Sequence, residues 1–209
     1  MIKLDLRKEL KHLYTPSAKK VELVEVPRFK FLMADGAIEP GLAPGTSPLF
    51  QEAMQALYGA AYTLKFMSKL RKEDPVDYPV MASEGLWWVE DGQFDINHKD
   101  NWVYTLMILQ PDHITKDMFQ EALGQLRKKR GDLPAFSRLR LDEFEEGLCV
   151  QIMHIGPYAT EPATKEKMEA FAREKGYTLC GKHHEIYLGN PLRAEPEKLK
   201  TVLRQQVAK

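Results

Sequence analysis

The chain is 209 residues long and 44% hydrophobic, enough to bury a substantial core in one large domain or two small ones. Thirty basic residues balance thirty acidic ones, so the charge gives no nucleic-acid footprint and no attraction to an anionic membrane, and no apolar run approaches the roughly 20 residues of a membrane span. The two cysteines, Cys149 and Cys180, lack CxxC partners, so neither a structural zinc nor a disulfide framework is expected, and the start Met1-Ile2-Lys3-Leu4-Asp5 lacks a signal peptide's apolar segment, which points to the cytoplasm.

Residues 1–20 are polar with scattered leucines and read as a short amphipathic arm lying on the body of the protein, with Tyr14 packed or covering a pocket. Val21 to Ala34 reads as a strand in which Pro27 marks an edge or a bulge, and Gly36 to Gly45 as a loop. Ser47-Pro48 then starts a helix, Ser47 capping it and Pro48 at its first position, with Phe50, Met54, Leu57, Ala61 and Leu64 forming a buried stripe down to about Met67. After the polar break Arg71 to Asp77, strands are predicted over Tyr78 to Glu90 and Trp102 to Gln110, joined by a turn-rich connection from Asp91 to Asp100. A helix over Thr115 to Arg130 stops at Gly131, its basic end Arg127-Lys128-Lys129-Arg130 complementing the dipole, and Pro134 opens a linker.

The second half reads the same way. A strand region, Leu139 to Ile155, is interrupted near Glu145-Glu146-Gly147, and a helix runs from about Thr164 to Lys175 and ends at Gly176. A strand over His183 to Leu188 follows, then the turn Gly189-Asn190-Pro191 and Leu199 to Gln205 as a strand or a short helix. The order strand, helix, strand, strand therefore occurs twice, which predicts an α+β fold of two antiparallel modules related by a pseudo-two-fold, their sheets facing each other or joined across a shared cleft. The expected divisions are an arm over 1–20, a first module with an extra helix over 21–133 and a second over 134–209, together one compact domain.

Function-bearing chemistry concentrates on two strands that occupy equivalent places in the two modules. In His183-His184-Glu185-Ile186-Tyr187-Leu188, alternation puts Ile186 and Leu188 with His184 on a core face and Glu185 with His183 and Tyr187 on the other. An acid between two rings must be paired, be protonated, or await a cationic or proton-donating ligand, unless the strand simply turns it to solvent. Adjacent Trp87 and Trp88 point to opposite faces, leaving one available to a ligand or both to packing. Trp102, Tyr104, Tyr158 and Tyr187 add aromatics in both modules, and Glu84 a second acid, so a flat lipophilic cation would find stacking and charge. His183 and His184 point apart and make a poor metal pair, and no phosphate-binding glycine run or GxSxG elbow occurs, so no metal and no cofactor are expected.

Glu84-Gly85-Leu86-Trp87-Trp88, His154-Ile155-Gly156-Pro157-Tyr158, His183 to Leu188 and Glu197-Lys198-Leu199-Lys200-Thr201 together resemble the GyrI-like small-molecule-binding proteins, over nearly the whole chain and most closely the stand-alone members that lack a DNA-binding domain. The resemblance implies tandem strand-helix-strand-strand modules with a ligand pocket between them and a functional glutamate at the position of Glu185. In the regulators of this family that acid pairs with lipophilic cations in an aromatic pocket; some stand-alone relatives are hydrolases that open the cyclopropane ring of DNA-alkylating antibiotics. The candidate ligand-binding residues are thus Glu185, Tyr187, Trp87, Trp88, Tyr104, Tyr158, Glu84, Met153 and His183, with Glu185 activating water and Tyr158 donating a proton if the protein is an enzyme. Lipophilic aromatic small molecules are the expected partners of a monomer or weak dimer, with neither nucleic acid nor membrane.

Overall fold

Two bent strands tie the molecule together. The structure, a computed structural model, describes residues 1–92, 94–97, 101–189 and 193–209. Pro27 stands in a bend between strand β2 (Glu22–Val26) and strand β3 (Phe29–Ala37), where its missing N–H breaks the ladder. The paired strand bends at the same place, between β7 (Leu139–Phe144) and β8 (Gly147–Ile155), helped by Gly147 at φ 72. Pairing runs from Glu22↔Gln151 to Val26↔Gly147 and resumes in the same register from Phe29↔Phe144 to Ala34↔Leu139. With β5 (Ser83–Trp88), β6 (Val103–Gln110), β9 (Thr178–Tyr187) and β10 (Lys200–Ala208), an eight-stranded sheet results, in the order β2-β8-β10-β9-β5-β6-β3-β7. All its pairs are antiparallel. Its two ends are the outer halves of the same bent ribbon, so the sheet closes on itself, and of the two expected arrangements, sheets that face or sheets that join, the joined one is found.

In each half the third strand lies between the first and second, β10 between β8 and β9 and β6 between β3 and β5, and the halves meet at the β5–β9 pair. Directly paired residues share a face. One face of the centre carries Gly85, Trp87, His183, Glu185, Tyr187 and Leu203, and the other carries Glu84, Leu86, His184, Ile186, Val202 and Met153.

Helix α3 (Pro48–Lys69) packs on β3 and β6, and α5 (Glu161–Glu174) on β8 and β9. Ser47 Oγ accepts the Phe50 N–H at 3.0 Å at the start of α3, as its position before Pro48 predicts. The α3 stripe is rotated from the expected one: Ala53, Ala56, Leu57, Ala60, Ala61 and Leu64 are buried, while Phe50 and Met54 are half-buried at its edge. Helix α4 (Lys116–Arg130) buries Phe119, Ala122, Leu123 and Leu126 and packs on α3. Among the described residues no helix is long and apolar enough to cross a membrane.

Several expected boundaries move. Residues 78–82 precede β5 rather than belonging to it, and α5 starts at Glu161 instead of Thr164. The segment 199–205 is strand, continuing to Ala208. Strand β9 begins five residues earlier than expected, because Gly181 at φ 67 and a register shift opposite it between Arg204 and Gln206 hide the alternation of residues 178–182. The arm folds into β1 (Ile2–Lys3), α1 (Leu6–Glu9) and α2 (Lys11–Tyr14), with β1 pairing parallel to β4 (Val76–Asp77). The expected turn residues Asn190 and Pro191, and Gln93 and residues 98–100 of the connection before β6, lie outside the described residues.

Candidate functional site

Where α3 and the start of α5 flank the β5–β9 pair, a cavity of about 2110 Å³ opens, running out along α3 and α4. Its wall on the strands is made by Trp87, Glu185 and Tyr187, with Tyr158 from the turn before α5, Glu161 from the first residue of α5, and Phe50, Met54 and Tyr58 from α3. Glu185 is 5% exposed, so the carboxylate meets the cavity and little bulk water.

Gly85 makes this arrangement possible. It pairs directly with Glu185, and a Cβ there would stand 2.7 Å from the Trp87 indole nitrogen and 3.0 Å from the Tyr187 hydroxyl. In the space left by the missing side chain, Trp87 Nε1 donates to the Tyr187 hydroxyl at 2.8 Å. That phenol lies close enough to Glu185 to feel the carboxylate's charge, so indole, phenol and acid stand side by side on one face of the strand pair. His183 Nε2 stands 3.2 Å from Glu185 Oε1 on the other side, its ring stacked on Phe94 with centroids 5.5 Å apart. Burial first, then the charge of Glu185, hold the Tyr187 hydroxyl well above the ordinary phenol range.

The second element of the site is a turn. Gly156, at φ 137, ends β8, and His154 pins the residues after it: its Nδ1 lies 2.9 Å from the Thr164 hydroxyl and its Nε2 3.2 Å from the Pro157 carbonyl. The Thr160 hydroxyl, 3.2 Å from the same Nε2, adds a third contact to this turn. The turn sets Tyr158 edge-on to Tyr187, with centroids 6.1 Å apart and an interplanar angle of 85°. Burial first, then the charges of Glu161 and Glu185, push the Tyr158 phenol up to about 12. Both phenols are therefore protonated donors at neutral pH, facing a buried acid.

Of the residues singled out in the sequence, Glu185, Tyr187, Trp87 and Tyr158 come together on this wall. His183 is behind it, touching Glu185. Tyr104 is fully buried beneath the wall, its ring 5.2 Å from Phe50 and 5.7 Å from Trp87. Trp88, Glu84 and Met153 belong to the opposite face by alternation: Lys182 Nζ sits 3.2 Å over the Trp88 ring, Glu84 binds His184, and Met153 is in the core. Sequence reasoning missed Glu161, Phe50, Met54 and Tyr58. Glu161 was hidden by placing the helix start at Thr164, although an acid in a first turn is itself a start signal.

A helix-flanked strand pair with an aromatic cavity and an acid in its wall defines a small-molecule-binding protein, and the chain belongs to the GyrI-like family, whose GyrI-like small molecule binding domain matches residues 19–206. It is similar over its full length to three solved structures from Listeria innocua. An uncharacterized conserved protein is 41% identical with a TM-score of 0.88, covering 98% of this chain and 100% of that one. A hydrolase is 38% identical with a TM-score of 0.83, covering 98% and 100%, and a hydrolase encoded by lin2189 is 40% identical with a TM-score of 0.85, covering 99% and 100%. No curated protein matches the chain.

Proposed function

We propose that the protein captures flat, lipophilic aromatic molecules, cations above all, in the cavity beside Glu185, and so sequesters drugs or toxins. The observation that carries this reading is the position of Glu185, nearly inaccessible to solvent yet in the wall of an aromatic cavity. Rings of Phe50, Tyr58 and Tyr158 offer stacking surface, with Trp87 stacked behind Phe50, and a carboxylate largely withdrawn from water attracts a delocalised cation far more strongly than one in water. Fluorescence titration with a rhodamine-type dye tests it. We expect saturation in the micromolar range or tighter, about −8 kcal/mol, weakened in Glu185→Gln and Trp87→Ala; equal saturation in both variants puts the dye elsewhere.

The two hydrolases similar to this chain over their whole length favour a second reading, in which some ligands are also cleaved. Glu185 takes a proton from water while the water oxygen bonds to a carbon of a strained cyclopropane. The breaking carbon–carbon bond sends its electron pair into a conjugated carbonyl, whose oxygen is protonated by Tyr158 or Tyr187, and the proton held on Glu185 returns to that phenolate through solvent to restore both groups. Burial and the charge of Glu185 make both phenols weaker acids, and the part due to Glu185 is relieved as that carboxylate takes the proton from water, so the phenols become better donors as the carbonyl oxygen gains charge. Incubation with a cyclopropane-bearing alkylator and mass spectrometry for a water adduct decides between capture alone and capture with cleavage.

A further inference from the structure

The N-terminal arm lies before the matched family region, which begins at residue 19, yet Arg7, Tyr14 and Thr15 line the cavity where it passes residues 80–83 at the start of β5. Three consecutive arm residues are gripped by groups on the face of the sheet opposite Glu185. Gln151 Nε2 donates to the His12 carbonyl at 2.8 Å, Arg204 Nη2 to the Leu13 carbonyl at 2.7 Å, and the Tyr14 hydroxyl to Glu84 Oε1. The gripping groups are themselves one network. His184 lies 3.0 Å from Glu84 through Nε2 and 3.0 Å from Glu146 through Nδ1, and Arg204 reaches Glu146 at 3.3 Å and the Gln151 side-chain oxygen at 3.2 Å. Glu84, Glu146, Gln151, His184 and Arg204 are each no more than 3% exposed. Two buried anions and two buried cations hold a fold together no better than apolar packing of the same volume, so their burial calls for a positioning role. What they position is the arm.

We propose that the arm is a specificity-determining wall of the ligand cavity, with Tyr14 as its contact residue and the Glu84–His184–Glu146–Arg204 network as the positioning group that fixes it. The inference rests on the ligand reading above and adds which segment sets the size of ligand accepted. A Tyr14 ring held at the cavity margin narrows it for wide ligands and gives narrow ones a surface. The network fixes that ring through its hydroxyl, and backbone contacts from Ile2 and Leu4 to Pro75 and Asp77 hold the rest of the arm.

The test compares the full-length wild type with Tyr14→Ala, which removes the ring, and Tyr14→Phe, which severs only the contact to Glu84. Each is titrated with a wide rhodamine-type dye and with the narrower cation proflavine, and each is followed by hydrogen–deuterium exchange over residues 2–15. We expect Tyr14→Ala to weaken proflavine about tenfold and to leave the rhodamine unchanged or bound up to about threefold tighter. Tyr14→Phe should shift the preference in the same direction by a smaller factor and speed exchange over residues 11–15 at least tenfold. An unchanged affinity ratio in Tyr14→Ala overturns the wall, and unchanged exchange in Tyr14→Phe overturns the positioning role. If the wild type binds neither probe, the ligand reading fails and the wall with it, while exchange still decides whether the network holds the arm.

Discussion

Glu185 and His184 are neighbours on β9 with opposite assignments, one turned to a cavity and one locked in a network. Glu185→Gln keeps shape and most hydrogen bonds while deleting the charge. Cationic ligands should lose roughly 1–3 kcal/mol, neutral aromatics almost nothing, and turnover of a cyclopropane substrate should fall about a hundredfold or more. Paired titrations of a cation and a neutral dye check the first two, and adduct formation the third. His184 answers to pH instead. Burial opposes its charge, but Glu146 and Glu84 on its two nitrogens outweigh burial and raise its pKa to about 9. A folded-state pKa above the ordinary value of about 6.5 means stability that is complete below that pH and lost as pH rises through about 9, roughly 2–4 kcal/mol in all. Urea midpoints should therefore drop between pH 6.5 and 9.5 in the wild type and stay level in His184→Gln. Alternation made both faces of β9 legible in the sequence. It was silent on Glu84, whose side chain points away from the cavity only because Glu84 pairs with Ile186 and not with Glu185.

Elements bring the site together, and their packing explains which aromatic residues reach it. Trp87 and Trp88 are equivalent in sequence, and only the register Trp87↔His183 puts Trp87 on the face of Glu185. Trp87→Ala should weaken dye binding and Trp88→Ala should leave it within about twofold, read in the same titration. Gly85 is the more demanding test of β5, since Gly85→Ala drives a methyl group against the indole and the phenol. The substitution should cost about 1–3 kcal/mol by overpacking and break the Trp87–Tyr187 hydrogen bond, with lower melting temperature and altered Trp fluorescence as readouts. Helix starts with a capping serine and a proline were readable, as Ser47-Pro48 shows, whereas the rotation of α3 that turns Met54 and Tyr58 to the cavity depends on β6 and α4, which the helix's own periodicity does not contain.

At the scale of the whole molecule, the repeated element order was visible in the sequence, but the way the halves join was not, because pairing between distant strands leaves no local signal. The join makes a prediction about cooperativity. Neither half has a complete sheet of its own: β5 and β9 would each expose an unpaired central edge, and the ribbon of residues 22–34 with 139–151 would lose one strand from each half. Unfolding should therefore be a single transition in which residues 21–133 and 134–209 lose structure together. All three tryptophans, Trp87, Trp88 and Trp102, lie in the first half, two of them at its seam with the second, so fluorescence reports the first half and the seam while far-ultraviolet circular dichroism reports both halves. The two midpoints in urea should coincide, and a dye bound beside Glu185, between strands of both halves, should move them up by the same amount. Residues 134–209 produced alone should show neither the dichroism of a folded sheet nor a cooperative transition. Separate midpoints, or a folded isolated half, would mean that the β5–β9 seam joins two independent units and that the cavity can open by their parting.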